Sequence, residues 1–217
     1  MALVDRYNGD GINDAPSSPM VEHFELYTAL DYSLSTFGAI QWGEVGHRYG
    51  TFLRAVYPAM KDVNPNAQVI FGGIGHQFQV NGTSILVDVL ASDYADYFDM
   101  IALHVHPSLD RHHTPINGGI GIMEKATAVR KLMEVYGVKK PLIITQAHLN
   151  AGNLRGCQRA NYQTIQASYQ VQVMVQSLAT DIEATIWHML YDPVGNPQES
   201  GLVTPQVDGN ICLLYTS

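Results

Sequence analysis

Residues 141–147 read PLIITQA, a short apolar run without the polar–apolar alternation of a strand that is half exposed to water. Similar runs occur at residues 98–104 (FDMIALH) and 68–71 (QVIF), and weaker strand signals occur at 22–27 and 184–187. Strands of this kind are buried on both faces, which is typical of a parallel sheet covered by helices. The sequence therefore predicts such a sheet as the core of the fold.

Helical spacing of apolar residues separates these runs. It predicts a helix at about residues 46–62, which the Asn64-Pro65-Asn66 segment ends, and further helices near 83–91, 120–136 and 159–179. Strands and helices thus alternate along the chain. This order is typical of the α/β class.

Composition and net charge indicate an ordinary folded domain and disfavour some classes of partner. The chain has 217 residues, of which 46% are hydrophobic and 15% charged, as in an ordinary folded domain. A net charge of −8 disfavours nucleic acid and anionic membrane surfaces as partners. We expect neither a membrane span nor a signal peptide within these residues, because no apolar run is long enough and the first residues lack a basic-then-apolar pattern. These residues do not determine the localisation of the protein. A parent protein with a leader before Met1 would be secreted.

One domain is expected over residues 1–211. The last residues, 212–217 (CLLYTS), look like a translated sequencing adapter, so we expect a non-native tail there. Two cysteines give no disulfide framework.

The order of several short motifs carries a resemblance to a known family. These segments are FELYTALD (24–31), WG (42–43), AVYPAMK (55–61), NPNAQVIFGG (64–73), FDMIALHVHP (98–107), KPLIITQ (140–146) and WHMLYDP (187–193). Together they resemble the second half of the (β/α)8 barrel in the large clan of retaining glycoside hydrolases. The resemblance implies a partial TIM barrel, about strands four to eight with their helices. Because an open barrel leaves sheet edges uncovered, we expect self-association through those edges.

The resemblance also locates the two catalytic glutamates of the family, and this chain has neither. Ala29 occupies the acid/base position and Gln146 the nucleophile position. Retaining hydrolysis needs two carboxyl groups about 5 Å apart, one to donate a proton and one to attack the sugar. We interpret Glu25, Asp31 and Asp192 as structural, so the chain is expected to be catalytically inactive.

Sugar recognition is expected to survive that loss. In the family, a tryptophan at the position of Trp187 forms a stacking floor for the sugar. The expected partner is an oligosaccharide or polysaccharide, with no cofactor. The expected substrate-binding residues are Trp187, His104, His106, Gln146, Trp42 and Tyr191.

Five histidines fall at or just after predicted strand ends, so we expect them to line one rim: His76, His104, His106, His148 and His188. They support a hypothesis of a different class. His104, His106 and His148 have the side-chain chemistry of zinc ligands, and metal-bound water would permit hydrolysis without the glutamates. The alternative functions are therefore a metal-dependent hydrolase that uses this histidine-rich rim, or a non-catalytic carbohydrate-binding module.

Overall fold

The structure is a computed structural model that describes residues 1–28, 46–75, 85–106, 121–149, 162–191, 201–205 and 211–213. Helices and strands alternate through most of these ranges, as the sequence predicts. In chain order the elements are α1 (Ala2–Arg6), β1 (His23–Leu26), α2 (Gly46–Val63), β2 (Gln68–Ile74), α3 (Ile85–Leu90), a 3₁₀ turn (Ala95–Tyr97), β3 (Met100–Val105), α4 (Ile122–Val135), β4 (Leu142–Ala147), α5 (Tyr162–Ala179), β5 (Ile182–Trp187), β6 (Val203–Pro205) and β7 (Ile211–Leu213).

Five of the described strands form one sheet in the order β1-β2-β3-β4-β5, which is also their order in the chain. Strand β1 is parallel to β2, with His23 opposite Gln68, and β4 is parallel to β5, with Leu142 opposite Ile182. Sequential parallel strands joined through helices are the arrangement of a barrel segment. The prediction of an α/β fold with a parallel sheet is confirmed.

Contacts divide the chain into two compact units. Unit 1 comprises Met1–Ala102 with Arg130–Pro141, and unit 2 comprises Leu103–Val129 with Leu142–Ser217.

The core of unit 1 is built on the aromatic ring of Phe71 in β2. This ring contacts Tyr49 of α2 at 5.0 Å and Phe98 at 5.4 Å between centroids, both edge to face. All three side chains are fully buried. Edge-to-face contacts of this kind add to the hydrophobic gain from burial, so they hold α2 against β2.

The Asp99 carboxylate ties α2 to the same strand. It accepts hydrogen bonds from the Tyr57 hydroxyl (2.9 Å) and from the backbone N–H of Val69 (2.8 Å), and it pairs with the Lys61 ammonium at 2.9 Å. Partial burial raises the pKa of the Tyr57 phenol to about 12, and the hydrogen bond to the negatively charged Asp99 adds to this rise. The YP-containing segment of the helix, which helped to define the resemblance, therefore has a structural role here.

Unit 2 contains the carboxyl-terminal part of β3, together with β4, β5 and α5. Leu142 and Ile144 of β4 and Val173 of α5 are fully buried. The hydroxyl of Tyr162, in the first turn of α5, donates to Leu149 O at 2.6 Å, which fixes that turn just beyond the end of β4.

Two differences from the sequence predictions concern strands. Strand β5 begins at Ile182, two residues before the predicted start, and includes the exposed residues Glu183 and Ala184. The charged Glu183 interrupts the apolar run on which the prediction depends, so the prediction begins only after it. The antiparallel ribbon of β6 and β7 was not predicted; it pairs Thr204 with Cys212, the first residue of the expected tail. That the tail is non-native stays a prediction.

Candidate functional site

Three neighbouring strands of the sheet are each followed directly by a histidine. Strand β3 is followed by His106, β4 by His148 and β5 by His188. The backbone N–H of His148 donates to Val105 O at 3.0 Å, and that of His188 donates to Ala147 O at 2.8 Å. Parallel pairing therefore continues one residue past the strands and brings the histidines together at their carboxyl ends, all within unit 2.

The imidazole rings of His104, His106, His148 and His188 form a continuous series, which we call the histidine row. Successive ring centroids are separated by 6.1, 5.3 and 5.7 Å. The His106 and His148 rings are stacked, with an angle of 17° between their planes. The positions of these histidines at strand ends predict a shared rim, and the structure brings the four rings together there. His76, which is predicted to lie on the same rim, is outside the described residues.

Burial sets the protonation state of the middle of the row. His148 is 6% exposed, and loss of solvation lowers its pKa to about 3, with further lowering from His106, His188 and His104. At neutral pH this ring is uncharged, with one nitrogen that donates and one that accepts. Among the atoms that the structure describes, Nδ1 of His148 and Nδ1 of His188 are buried without a hydrogen-bond partner.

A lysine fixes a helix end beside the row. The Nζ atom of Lys125 donates to His104 O at 2.8 Å. Lys125 lies in the first turn of α4, where the helix dipole gives a partial positive charge. Lys125 was not among the site residues predicted from the sequence. Its signal is a cationic residue at the start of the helix that follows β3.

Gln146, the residue at the nucleophile position, is the second-last residue of β4 and is half-buried. Its primary amide is close in shape to a glutamate side chain but carries no charge, so it donates and accepts hydrogen bonds and does not attack a sugar carbon.

The indole of Trp187 ends β5 and is half-buried. Its ring meets the buried ring of Tyr169, on α5, edge to face with centroids 6.3 Å apart. This contact could not be predicted from the sequence, because nothing in the residue spacing gives the rotation of α5 against β5. Tyr191, four residues further on, is 48% exposed. The role of Trp187 as a sugar floor stays a prediction.

Several expected site residues lie elsewhere. Ala29 and Trp42 are outside the described residues, as are Asp31 and Asp192. Glu25, in unit 1, accepts a 2.7 Å hydrogen bond from the backbone N–H of Gly73. That bond supports the structural interpretation of Glu25.

The metal hypothesis finds little geometric support. In the part of the chain that the structure describes, no group of three or more His, Cys, Asp or Glu residues is arranged to hold a metal ion. Ring stacking between His106 and His148 accounts for their proximity without one. Nor do the described residues include a helix that is both long and apolar enough to cross a membrane.

Comparisons with known proteins identify the fold. No protein-family model matches the sequence, and no curated protein matches it significantly. Solved structures do match. A family 39 glycoside hydrolase from Bacteroides cellulosilyticus is 18% identical with a TM-score of 0.59, and the match covers 85% of this chain and 37% of that one. A family 51 α-L-arabinofuranosidase from Thermotoga petrophila is 14% identical with a TM-score of 0.68, covering 98% and 43%. An intracellular xylanase from Thermoanaerobacterium saccharolyticum is 13% identical with a TM-score of 0.56, covering 93% and 58%.

This chain therefore has the fold of part of a glycoside hydrolase of the (β/α)8 class. It spans less than half the length of the first two structures named. At these identities the likeness concerns the fold, and both the fold class and the resemblance inferred from the motifs are confirmed at that level.

Proposed function

We propose that the chain is a glycoside hydrolase-like domain that binds carbohydrate and does not cleave it. The observation that carries the proposal is the grouping of Gln146, Trp187 and the histidine row at the carboxyl ends of β3, β4 and β5. In barrel enzymes the active site is built at that end of the strands. The solved structures of similar fold are named as sugar-cleaving enzymes, which supports a saccharide as the ligand.

The side chains at this edge suit a polyhydroxylated ligand. The neutral imidazole of His148 and the Gln146 amide each offer both a donor and an acceptor, and a sugar hydroxyl needs both. Trp187 and Tyr191 add aromatic surface for the C–H face of a sugar ring. Binding sites commonly combine a few polar groups with apolar and aromatic walls in this way.

The lack of hydrolysis follows from side-chain chemistry. An amide at position 146 cannot form the glycosyl-enzyme ester, and alanine at position 29 cannot protonate a leaving group. Glu25 does not replace either group in this account, since its carboxylate accepts from Gly73 N.

A glycan-binding panel tests the proposal. We expect the wild-type chain to bind at least one family of β-linked oligosaccharides with unchanged ligand after incubation, and Gln146→Ala and His106→Ala to weaken that binding. Gln170→Ala, on α5, is the matched control and keeps wild-type affinity. Failure to bind any glycan, or equal binding by all four proteins, would contradict the proposal. Circular dichroism of each variant separates a lost contact from a lost fold.

The metal-dependent alternative remains open to a direct test, because the row brings four imidazoles within 6.1 Å of a neighbour. It requires stoichiometric zinc, or a similar metal, in protein purified without chelators. Elemental analysis that finds one bound ion per chain, lost in His148→Ala, would replace the carbohydrate-binding proposal with this one.

A further inference from the structure

The described part of unit 2 has an uneven distribution of charge. The whole chain carries a net charge of −8. Residues 103–106 and 142–149, which include three of the four histidines of the row, contain no Asp or Glu. The carboxylates of the described residues in unit 2 are Glu124, Asp181 and Glu183. Asp181 and Glu183 lie at the start of β5, whereas the row lies at the other end of the strands.

Positive charge lies beside the row instead. The Lys125 ammonium donates to His104 O at 2.8 Å, so it lies beside the backbone of the first histidine of the row, and Lys125 belongs to the first turn of α4. Backbone N–H groups in that turn add a partial positive charge. Glu124 is in this turn as well, but its side chain is exposed. An ammonium, a helix amino terminus and several imidazoles are a combination that stabilises an anion.

Two buried nitrogen atoms strengthen the argument. Nδ1 of His148 and Nδ1 of His188 have no hydrogen-bond partner among the described atoms, and His148 is 6% exposed. A buried polar atom without a partner is costly, so a ligand that pairs with it gains affinity. With the ring proton on Nδ1, each imidazole donates to an oxygen of an anionic group.

We propose that the histidine row and Lys125 form a subsite for a sugar that carries a negative charge, as a carboxylate or as a sulfate ester. This inference rests on the proposed carbohydrate-binding function and narrows its ligand. A neutral sugar uses the same hydrogen bonds but gains nothing from the ammonium or the helix terminus. The chain is therefore selective for the anionic member of otherwise identical glycans.

Matched glycans test the selectivity. Each set contains one oligosaccharide backbone in its neutral form, with C6 oxidised to a carboxylate, and with C6 sulfated, on β-linked glucan, galactan and mannan backbones. Calorimetric titration of the whole chain gives the ratio of affinities within each set. We expect an anionic form to bind about tenfold more tightly than the neutral form, the gain of one charge-assisted contact. The preference shrinks at about 0.5 M salt, where charges are screened within a few ångströms.

Variants of Lys125 separate charge from structure. Lys125→Met removes the preference for the anionic glycan, and Lys125→Arg retains it. Lys131→Met, an exposed position later in α4, is the control and leaves the ratio unchanged. If Lys125 had only a structural role, its loss would weaken the binding of neutral and anionic glycans equally. The measured quantity is therefore the ratio of the affinity for the anionic form to that for the neutral form.

Each outcome has one meaning. Preference for the carboxylate or for the sulfate supports the inference and identifies which group binds. Equal or tighter binding of the neutral form overturns the inference and leaves the proposed function intact. Binding of no member of any set overturns both. A preference that survives in Lys125→Met contradicts the role of that ammonium.

Discussion

The imidazoles of His106 and His148 lie face to face, with ring centroids 5.3 Å apart and an angle of 17° between their planes. One follows β3 and the other follows β4, and the bond from His148 N to Val105 O holds their backbones in register. Two rings this close to one another disfavour protonation of both, since each positive charge would repel the other. The pairing of β3 with β4 therefore holds the two rings so close that a positive charge on both is disfavoured.

Stability at acid pH depends on His148. Its pKa is about 3 in the folded chain and 6.5 as an ordinary histidine, so between these values the unfolded state binds the extra proton. The contribution is complete above pH 6.5 and is lost as the pH falls toward 3. From pH 7 to pH 5 this residue lowers the free energy of unfolding by about 2 kcal/mol.

Urea unfolding at pH 7 and pH 5 measures the loss of unfolding free energy in the wild type and in His148→Asn. We expect the loss in His148→Asn to be smaller than that in the wild type by about 2 kcal/mol. The control is His23→Asn, at an exposed position of β1, which we expect to lose as much as the wild type. Equal pH dependence in all three proteins would mean that His148 is not kept neutral by the fold.

A single carboxylate at position 146 restores half of the chemistry. In Gln146→Glu, a dinitrophenyl glycoside needs no proton donor, because its leaving group departs as the anion. We expect a burst of about one dinitrophenolate per chain and a matching increase in protein mass, as the glycosyl-enzyme forms and is not cleaved. The readout is rapid-mixing absorbance followed by intact-protein mass spectrometry, across glycosides of several sugars.

The wild type and Gln170→Glu, which receives the same change on α5, give no burst. Turnover of unactivated substrates is expected only when Ala29→Glu is combined with Gln146→Glu. A burst in the wild type would contradict the assignment of position 146 as the nucleophile position.

The Tyr49 hydroxyl stabilises unit 1. It donates to Leu26 O at 2.6 Å and accepts from Gly72 N at 2.9 Å, and so it bridges β1 and β2 from helix α2. In Tyr49→Phe the buried Gly72 N–H and the part-buried Leu26 carbonyl both lose this partner, and we expect a loss of about 2 kcal/mol in the free energy of unfolding. Tyr191→Phe, where the side chain is 48% exposed, changes it by less than about 0.5 kcal/mol. Chemical denaturation measures the free energy of unfolding of both variants. Similar losses in the two would show that the two hydrogen bonds of the Tyr49 hydroxyl contribute little to stability.

Self-association is expected through the α5 side of unit 2. Val171, Val175 and Leu178 occupy one face of that helix and are 61%, 58% and 80% exposed, and β5 is the last strand of the described sheet. Light scattering coupled to gel filtration should give a mass that rises with concentration, and Val175→Lys with Leu178→Lys should return it to the monomer. Val135→Lys, on an isolated exposed valine of α4, is the control. A monomer at every concentration would contradict this expectation.

The central strands of the fold could be predicted from the sequence, because their apolar runs admit few other structures. The apolar runs of β4 and of the segment 98–104 predict these strands, whereas β5 is predicted only in part because the charged Glu183 interrupts its apolar run. The pattern of apolar residues in a sequence indicates which segments are buried. A strand at the border of the described sheet is less buried, so its sequence predicts it less clearly.

For the site, the sequence predicted which residues follow the strands but not how their side chains pack. The grouping of His104, His106 and His148 follows from parallel strand order alone. The contact of Trp187 with Tyr169 and that of Lys125 with His104 O depend on how α5 and α4 are rotated, which no residue spacing records. Tertiary packing decides such contacts.

The most direct test of the account is nuclear magnetic resonance of the histidine side chains during titration with oligosaccharides. If the carboxyl edge of β3, β4 and β5 is a carbohydrate site, the imidazole signals of His106 and His148 shift saturably with at least one glycan, while the signal of the exposed His23 stays in place. If no glycan moves the imidazole signals of the histidine row, the carbohydrate-binding function proposed for this edge is wrong.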